Sequence, residues 1–500
     1  MLRPARRGLA RARAALRTLA LTAAALTLSA CTQFVPRGGV SDFFCKDYEL
    51  PAYQPDAAEF AREVRRIEPG PATGSLGGTI GALAGGRRAT MLPKASPGLG
   101  GLGGAALAHI HEEAERHEPL PSHYEVFALA LPIISTDPNK GPTFGVLPVA
   151  VTKESARITN ILAPDFTFNA IDGIGGMFRL RRPFSKDANL SLDAGTSTNG
   201  NDDYNVIYSQ RRVGPNRALY YQVNLAYRTM LSTRFFGIGN ETDQDAESSF
   251  VFRRAEGNAT LGANLPLDLS LELRERIVTY RVGPGRLEDS DIPSTRRVFP
   301  NVDGVKEGRI TIQAHRIRLV YDSRDSAFAP TEGMFGEFTY ELADETLGSD
   351  IGFQRFGLAL TMLIPKFRKR LTTVLHFQGF IMTGDNIPFF EQTTIGGRTT
   401  NRGYGQGRFV DRNGYSANVE ERWNFLDYNL AGVNQVLQLA GFVDIGRVFA
   451  KGERFSLKKT KVSAGGSIRL IVPESELVTS IDIGFSDEGP AVFVELDYPF

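Results

Sequence analysis

From about residue 124 onward the chain alternates. In 436–449, Leu437, Leu439, Val443, Ile445 and Phe449 share one parity, and Gln438, Asp444 and Gly446 the other. In 414–425, Tyr415, Ala417, Val419, Trp423 and Phe425 oppose Ser416, Asn418, Glu420, Arg422 and Asn424. In 461–472, Val462, Ala464, Ile468, Leu470 and Val472 oppose Lys461, Ser463, Ser467 and Arg469. A strand turns successive side chains to opposite faces, so each segment has one apolar and one polar face. About 17 such runs can be counted, from 142–153 to 490–500, separated by Gly, Asn, Asp and Pro clusters. Long intervals at 232–248, 284–310 and 384–412 alternate with tight turns such as Gly214-Pro-Asn-Arg217. Glu421 breaks the pattern and has to sit near a membrane surface if the apolar face meets lipid. Alternation alone does not decide that: a soluble sandwich turns the same face inward.

The two ends favour the membrane. Arg3, Arg6, Arg7, Arg11, Arg13 and Arg17 precede an apolar stretch, Thr18 to Ala30, too short to span a bilayer. This reads as an export signal, 1–31, to be left out of the fold. It closes on Leu28-Ser29-Ala30-Cys31, which resembles a lipoprotein box with Cys31 as the lipidated residue; plain cleavage after Ala30 is the alternative. The last strand carries Val492, Val494, Leu496, Tyr498 and Phe500 on one parity and Glu495 and Asp497 on the other. It resembles the closing strand of outer-membrane barrels, in which the terminal aromatics, here Tyr498 and Phe500, serve as an assembly signal.

Residues 32–123, with Gly98-Leu-Gly-Gly-Leu-Gly-Gly-Ala-Ala and several prolines, read as a linker that buries too little apolar area to fold alone. Within it, Gly77, Gly81 and Gly85 form a small-residue stripe, and His111 and Glu115 share a face of any helix there. Neither pattern reaches a packing or metal site, and no metal or other cofactor is expected. The net charge of +1 argues against a nucleic-acid partner. After the signal no apolar run is long enough for a spanning helix, so crossing a membrane requires a closed barrel. The fold expected is all-β: an antiparallel transmembrane barrel over 124–500. Bacterial barrels carry even strand numbers, so the expected count is 16, with the surplus run near the start.

Four stretches in order resemble the assembly barrels of the BamA/TamA type, the bacterial surface-antigen family. Tyr321-Asp-Ser-Arg-Asp-Ser-Ala-Phe-Ala-Pro-Thr-Glu-Gly333 resembles that family's Arg-Asp…Pro…Gly turn. Ile395-Gly-Gly-Arg-Thr-Thr-Asn-Arg402-Gly403-Tyr404 resembles its Arg-Gly-Phe/Tyr loop. Asn418-Val-Glu420-Glu-Arg422 and Gly441-Phe-Val-Asp444-Ile-Gly446 resemble two of its strands, and Phe235-Phe-Gly-Ile-Gly-Asn240 a stretch of its short members. Alternation independently turns Glu420 and Asp444 to the lumen. The resemblance implies that the loop folds inward and that Arg402 pairs with Glu420 or Asp444, Gly403 allowing a tight turn and Tyr404 wedging against the wall. A partly wet lumen would hold the value of that pair to about 1–2 kcal/mol. The family's periplasmic domains have a mixed α/β rhythm that 32–123 lacks, which separates this chain from the assembly proteins in its client-handling part.

Catalysis finds little footing. His315 and His376 are the barrel's only histidines, and no Gly-x-Ser-x-Gly elbow occurs. The expectation is a non-enzymatic, monomeric barrel in the bacterial outer membrane. Its partners would be the lipids there and the barrel-assembly machinery during insertion, and its work membrane biogenesis or protein or lipid export, with the client unspecified. A passive channel or surface-structural barrel is the alternative, and a barrel enzyme the remaining one. If Cys31 is lipidated, radiolabelled palmitate enters the protein and is lost in Cys31→Ala; unchanged labelling of that variant would rule the lipoprotein reading out.

Overall fold

The computed structural model describes residues 124–500 except 155–156, 186, 215–217, 288–290, 307, 431–432, 474–476 and 497. Cys31, the glycine stripe, His111 and Glu115 therefore lie outside the described residues. The strands are β1 (Tyr124–Asp137), β2 (Gly141–Glu154), β3 (Arg157–Leu162, continued as Asp165–Asn169), β4 (Gly173–Pro183), β5 (Ala188–Ser197), β6 (Asp202–Val213), β7 (Leu219–Phe235), β8 (Ser248–Leu265) and β9 (Leu269–Pro284). They continue as β10 (Ile310–Asp322), β11 (Gly333–Ala343), β12 (Phe353–Lys366), β13 (Leu371–Gly384), β14 (Asn413–Leu430), β15 (Val433–Phe449), β16 (Lys461–Val472), β17 (Leu477–Ser486) and β18 (Gly489–Leu496). Each pairs antiparallel with the next, and β18 returns to β1, closing a barrel of 18 strands. Pro164, which has no N–H to give, divides β3. No helix among the described residues is long and apolar enough to cross a membrane.

The expected count of 16 is corrected to 18. All the alternating runs lie in the wall, and the strand absent from the count is β1. Its sequence, YEVFALALPIISTD, is apolar on both parities and contains Pro132, so it carries no clean period of two.

Exposure decides between sandwich and membrane barrel. The outward row is apolar: Phe166, Leu225, Leu273, Ile277 and Val419 are all more than half exposed. The inward row is charged, and Arg402, Glu420, Asp444, Arg469 and Asp482 are fully buried. A water-soluble fold arranged this way would leave its apolar surface to solvent and desolvate its charges. In a bilayer the same arrangement is the stable one. Glu421, the outward acid, lies beside the short 367–370 turn, where it accepts from Thr373 Oγ1 at 2.7 Å and from Lys366 Nζ at 3.2 Å.

Two expectations about the interior change. The lumen is not polar throughout. At the end bearing the long loops, Phe235, Phe250, Phe252, Val278, Tyr280, Ile312, Phe353 and Met382 from the wall meet Ile387, Phe389, Phe390 and Val410 from the 385–412 loop in one apolar core. Burying each such side chain stabilises by roughly 1.5–3 kcal/mol, so the loop is held inside by packing as well as by charge. The terminal aromatics also leave their expected parity. β18 ends at Leu496; Tyr498 then donates to the lumen residue Gln438 at 3.2 Å, and the Phe500 ring stacks on His376 at 4.7 Å.

Candidate functional site

The loop between β13 and β14 builds the site. Its arms pair as a short hairpin, Thr393–Ile395 with Phe409–Asp411. Gly396 and Gly397, at φ 110° and 101°, turn the chain into the tip. There the Arg402 side chain forks onto Asp444, Nε at 2.8 Å and Nη2 at 2.7 Å, while its backbone N–H donates to the same carboxylate at 3.0 Å. Nη1 donates to Glu420 at 2.5 Å. The Phe442 ring lies 3.4 Å from the guanidinium carbon, a cation–π contact on a desolvated charge. Burial pulls the Arg402 pKa down, and Glu420 and Asp444 more than reverse this, so the guanidinium stays cationic.

Glu420 is shared further. Arg469 donates to it through Nη1 at 2.6 Å and Nη2 at 3.0 Å, and Arg422 through Nε at 2.6 Å. Asp482 takes Arg398 Nε at 3.0 Å and Arg469 Nη2 at 3.2 Å. β14, β15, β16 and β17 thus each supply charges that meet at the loop tip.

The structure brings Arg402, Glu420 and Asp444 together, and gives Gly403 a different role. Its φ is not in the left-handed region. A Cβ there would come within 2.3 Å of the Ser463 Cβ, so the glycine is needed for close approach. Its N–H donates to Ser463 Oγ at 3.1 Å and its carbonyl accepts from Ser486 at 2.7 Å. The facing wall residue is also a glycine: a Cβ on Gly484 would lie 2.2 Å from the Arg402 carbonyl oxygen. Tyr404 packs with Ile395, Phe409 and Val448 and donates to Asp487 at 2.6 Å. Burial, then the Asp487 contact, raises the Tyr404 phenol, and the Tyr404 hydrogen bond lowers Asp487.

A second anchor on the same loop was not visible in the sequence. Glu391 accepts from Arg276 Nη1 at 3.1 Å, Tyr280 Oη at 2.5 Å and Arg355 Nη2 at 2.8 Å. Glu341 on β11 ties Arg276, Arg316 and Arg355 together at 2.8–2.9 Å. Lumen parity on β9 could have pointed to Arg276; nothing local marks Glu391. Burial raises the Glu391 carboxyl, but Arg276 and Arg355 hold it down at about 2. A depressed carboxylate stabilises above its ordinary pKa and loses that contribution as pH falls through the folded value, so this anchor persists until pH nears 2. His376 bonds Thr361 at 2.8 Å inside the barrel, while His315 pairs with Glu275 at 2.7 Å on the outer face; the two histidines stand apart.

A family model described as the Omp85 superfamily domain matches residues 156–487. No curated protein matches the chain. Among solved structures, BamA from Haemophilus ducreyi lacking POTRA domains 1–3 is similar at 14% identity and TM-score 0.49, over 79% of this chain and 78% of that one. CdiB from Acinetobacter baumannii is similar at 12% and 0.35, over 75% and 59%. OccK3 from Pseudomonas aeruginosa gives 12% and 0.37, over 76% and 95%.

Because Arg402, Glu420 and Asp444 are fully buried, the wet-lumen figure is too low. Arg402→Ala leaves two acids short of a partner and should cost about 3–5 kcal/mol, read as a lower unfolding temperature and new external protease cleavage in 385–412. Removing all three charges should cost less than the sum of the single losses. Gly403→Ala should destabilise by about 1–3 kcal/mol through overpacking against Ser463; wild-type stability in that variant would show that the loop does not press on the wall.

Proposed function

The chain belongs to the Omp85 superfamily, and from that premise we propose that it handles extended segments of protein in outer-membrane biogenesis or export. The observation that carries this reading is the seam. β1 pairs with β2 along its whole length, yet Thr136 and Val494 are the only ladder pair between β1 and β18 among the described residues. Beyond that pair the chain turns inward at Tyr498, and no ladder pair among the described residues takes up the N–H and C=O groups along the lower edge of β1. Such an edge is a template for another strand, and inside a bilayer its groups must find partners. The substrate class that fits is a β-strand-forming segment.

The loop supports the same reading. Tyr404 holds Asp487, and Arg408 Nε holds Glu488 at 2.8 Å, both in the turn joining β17 to β18. The Gln406 carbonyl accepts from Asn139 at 2.9 Å in the turn joining β1 to β2. The tip thus straps the seam at the end that carries its one described ladder pair, and leaves the lower edge of β1 free of the loop. A passive channel fits less well, because the apolar core fills the lumen at that end. The site residues suggest no enzymatic step.

The chain's second cysteine, besides Cys31, is Cys45, so the test is a disulfide across the seam, Thr136→Cys with Val494→Cys, in a Cys45→Ser background. The oxidised barrel should fold and stay heat-modifiable but fail to restore outer-membrane assembly or export in a null strain, and reductant should rescue it. Full complementation by the oxidised form would sink the proposal.

A further inference from the structure

Besides the paired charges His315–Glu275 and Lys366–Glu421, the outer face carries a row of three arginines that the seam and the loop do not use. Arg253 on β8 lies directly opposite Arg281 on β9. Tyr280 pairs with Ile310, so Arg309, immediately before β10, continues the row opposite Arg281. Parity turns the row outward: Val278, Tyr280 and Ile310 are buried in the lumen, whereas Arg281 and Arg309 are exposed and Arg253 is half-buried. Neighbouring Cβ atoms in such a row stand about 4.5–5.5 Å apart, and like charges set opposite one another destabilise a sheet.

Lumen arginines on the same strands have acids: Arg254 has Glu256, and Arg276 has Glu341 and Glu391. Among the described residues the side chains of Arg253, Arg281 and Arg309 have no ion pair and no hydrogen bond. Among the described residues, a nearby acid, Asp350, accepts from the Thr311 backbone N–H at 2.6 Å instead. Arg253 reaches toward β9, where Gly283 leaves room: a Cβ there would meet its Nη1 at 3.4 Å.

Depth identifies the missing counter-charge. The row lies in the strand ends nearer the long 236–247 and 285–309 loops, with Arg309 before β10 and Arg253 five residues into β8, the extracellular side of such barrels. One outward position below it, Tyr227 on β7 stacks on Tyr204 at 6.3 Å, an aromatic pair at the rim of the apolar band. Aromatic girdles mark the membrane–water interface, so the arginines stand at headgroup level in the outer leaflet. Guanidinium groups bind phosphate through paired N–H donors, and an anion shared between adjacent arginines removes their repulsion.

We propose that Arg253, Arg281 and Arg309 form a binding site for a phosphorylated lipid headgroup of the outer leaflet. The site holds a lipid against the outside of β8–β10, on a different part of the wall from the seam between β18 and β1. Its existence does not depend on what the seam handles.

The test uses the full chain in detergent, with lipid A, its phosphate-free form and inorganic phosphate as separate probes, read by native mass spectrometry and thermal unfolding. Lipid A should stay bound to the wild type and raise its unfolding temperature. In the variant carrying Arg253→Gln, Arg281→Gln and Arg309→Gln, binding should weaken at least about tenfold while heat-modifiability is kept, because no internal bond is lost. Arg281→Gln alone, the middle of the row, should show part of the effect and serves if the triple variant folds poorly. Equal binding of the phosphate-free lipid, unchanged binding in the variants, or an equal effect of inorganic phosphate would each overturn the assignment.

Discussion

One carboxylate orders the interior. Glu420, fully buried, accepts from Arg402, Arg422 and Arg469, which come from the loop tip and from two different strands. A lone ionised carboxylate in that position would be prohibitive, so its partners are obligatory. Around it, Arg398, Arg402, Arg422 and Arg469 meet Glu420, Asp444 and Asp482, one cation in excess. The excess falls on Arg422, whose two Nη atoms have no hydrogen-bond partner. The Tyr498 ring lies 4.1 Å from its guanidinium carbon and the Phe500 ring 5.9 Å, so aromatic faces supply what a fourth acid would. The inward course of the segment after β18 is thus coupled to the same cluster that holds the loop.

That coupling bears on how the barrel stays closed. Everywhere else adjacent strands share many ladder pairs, and closure follows from the backbone. Between β18 and β1, among the described residues, it rests on one pair and on contacts of the 385–412 loop. The loop therefore does work that hydrogen bonds do elsewhere, and it does so through contacts that can be exchanged singly. Breaking an ordinary strand pair would expose a row of backbone groups at once; releasing the strap exposes few.

Alternation made much of this legible. It marked strand after strand, and it placed Glu420 and Asp444 on the inward face before any resemblance entered. It worked because a barrel strand sees two unlike solvents. It failed where that condition fails. β1 is apolar on both parities, so alternation does not mark it and falls short of the 18-strand count. At the end bearing the long loops the lumen holds Phe389, Phe390 and their neighbours, so inward residues there are apolar and alternation loses its polar face. Tyr498 and Phe500 continued the parity of β18 on paper, but the strand ends at Leu496. Glu391 sits in a loop with no period, and its partners lie 36–115 positions away. Gly403 suggests a turn residue, because a sequence shows flexibility more readily than the distance to a facing wall.

The two anchors of the loop differ in kind, and the difference explains why both are present. Apolar packing around Phe389 and Phe390 favours burial but tolerates sliding, since it has no direction. A guanidinium forked onto one carboxylate while donating to another admits a single orientation. Charges in a dry interior add little net stability over well-packed apolar residues, and their clearest use is to specify register. Here register is what matters. The tip must place Tyr404 and Arg408 over the turn after β17 and Gln406 over the turn after β1, on either side of the seam. A shift of one residue along the tip would move Arg402 off Asp444 and bring a side chain with a Cβ against Ser463, where only Gly403 fits. Packing brings the loop inside; the buried charges and the glycine determine where along the wall it stops.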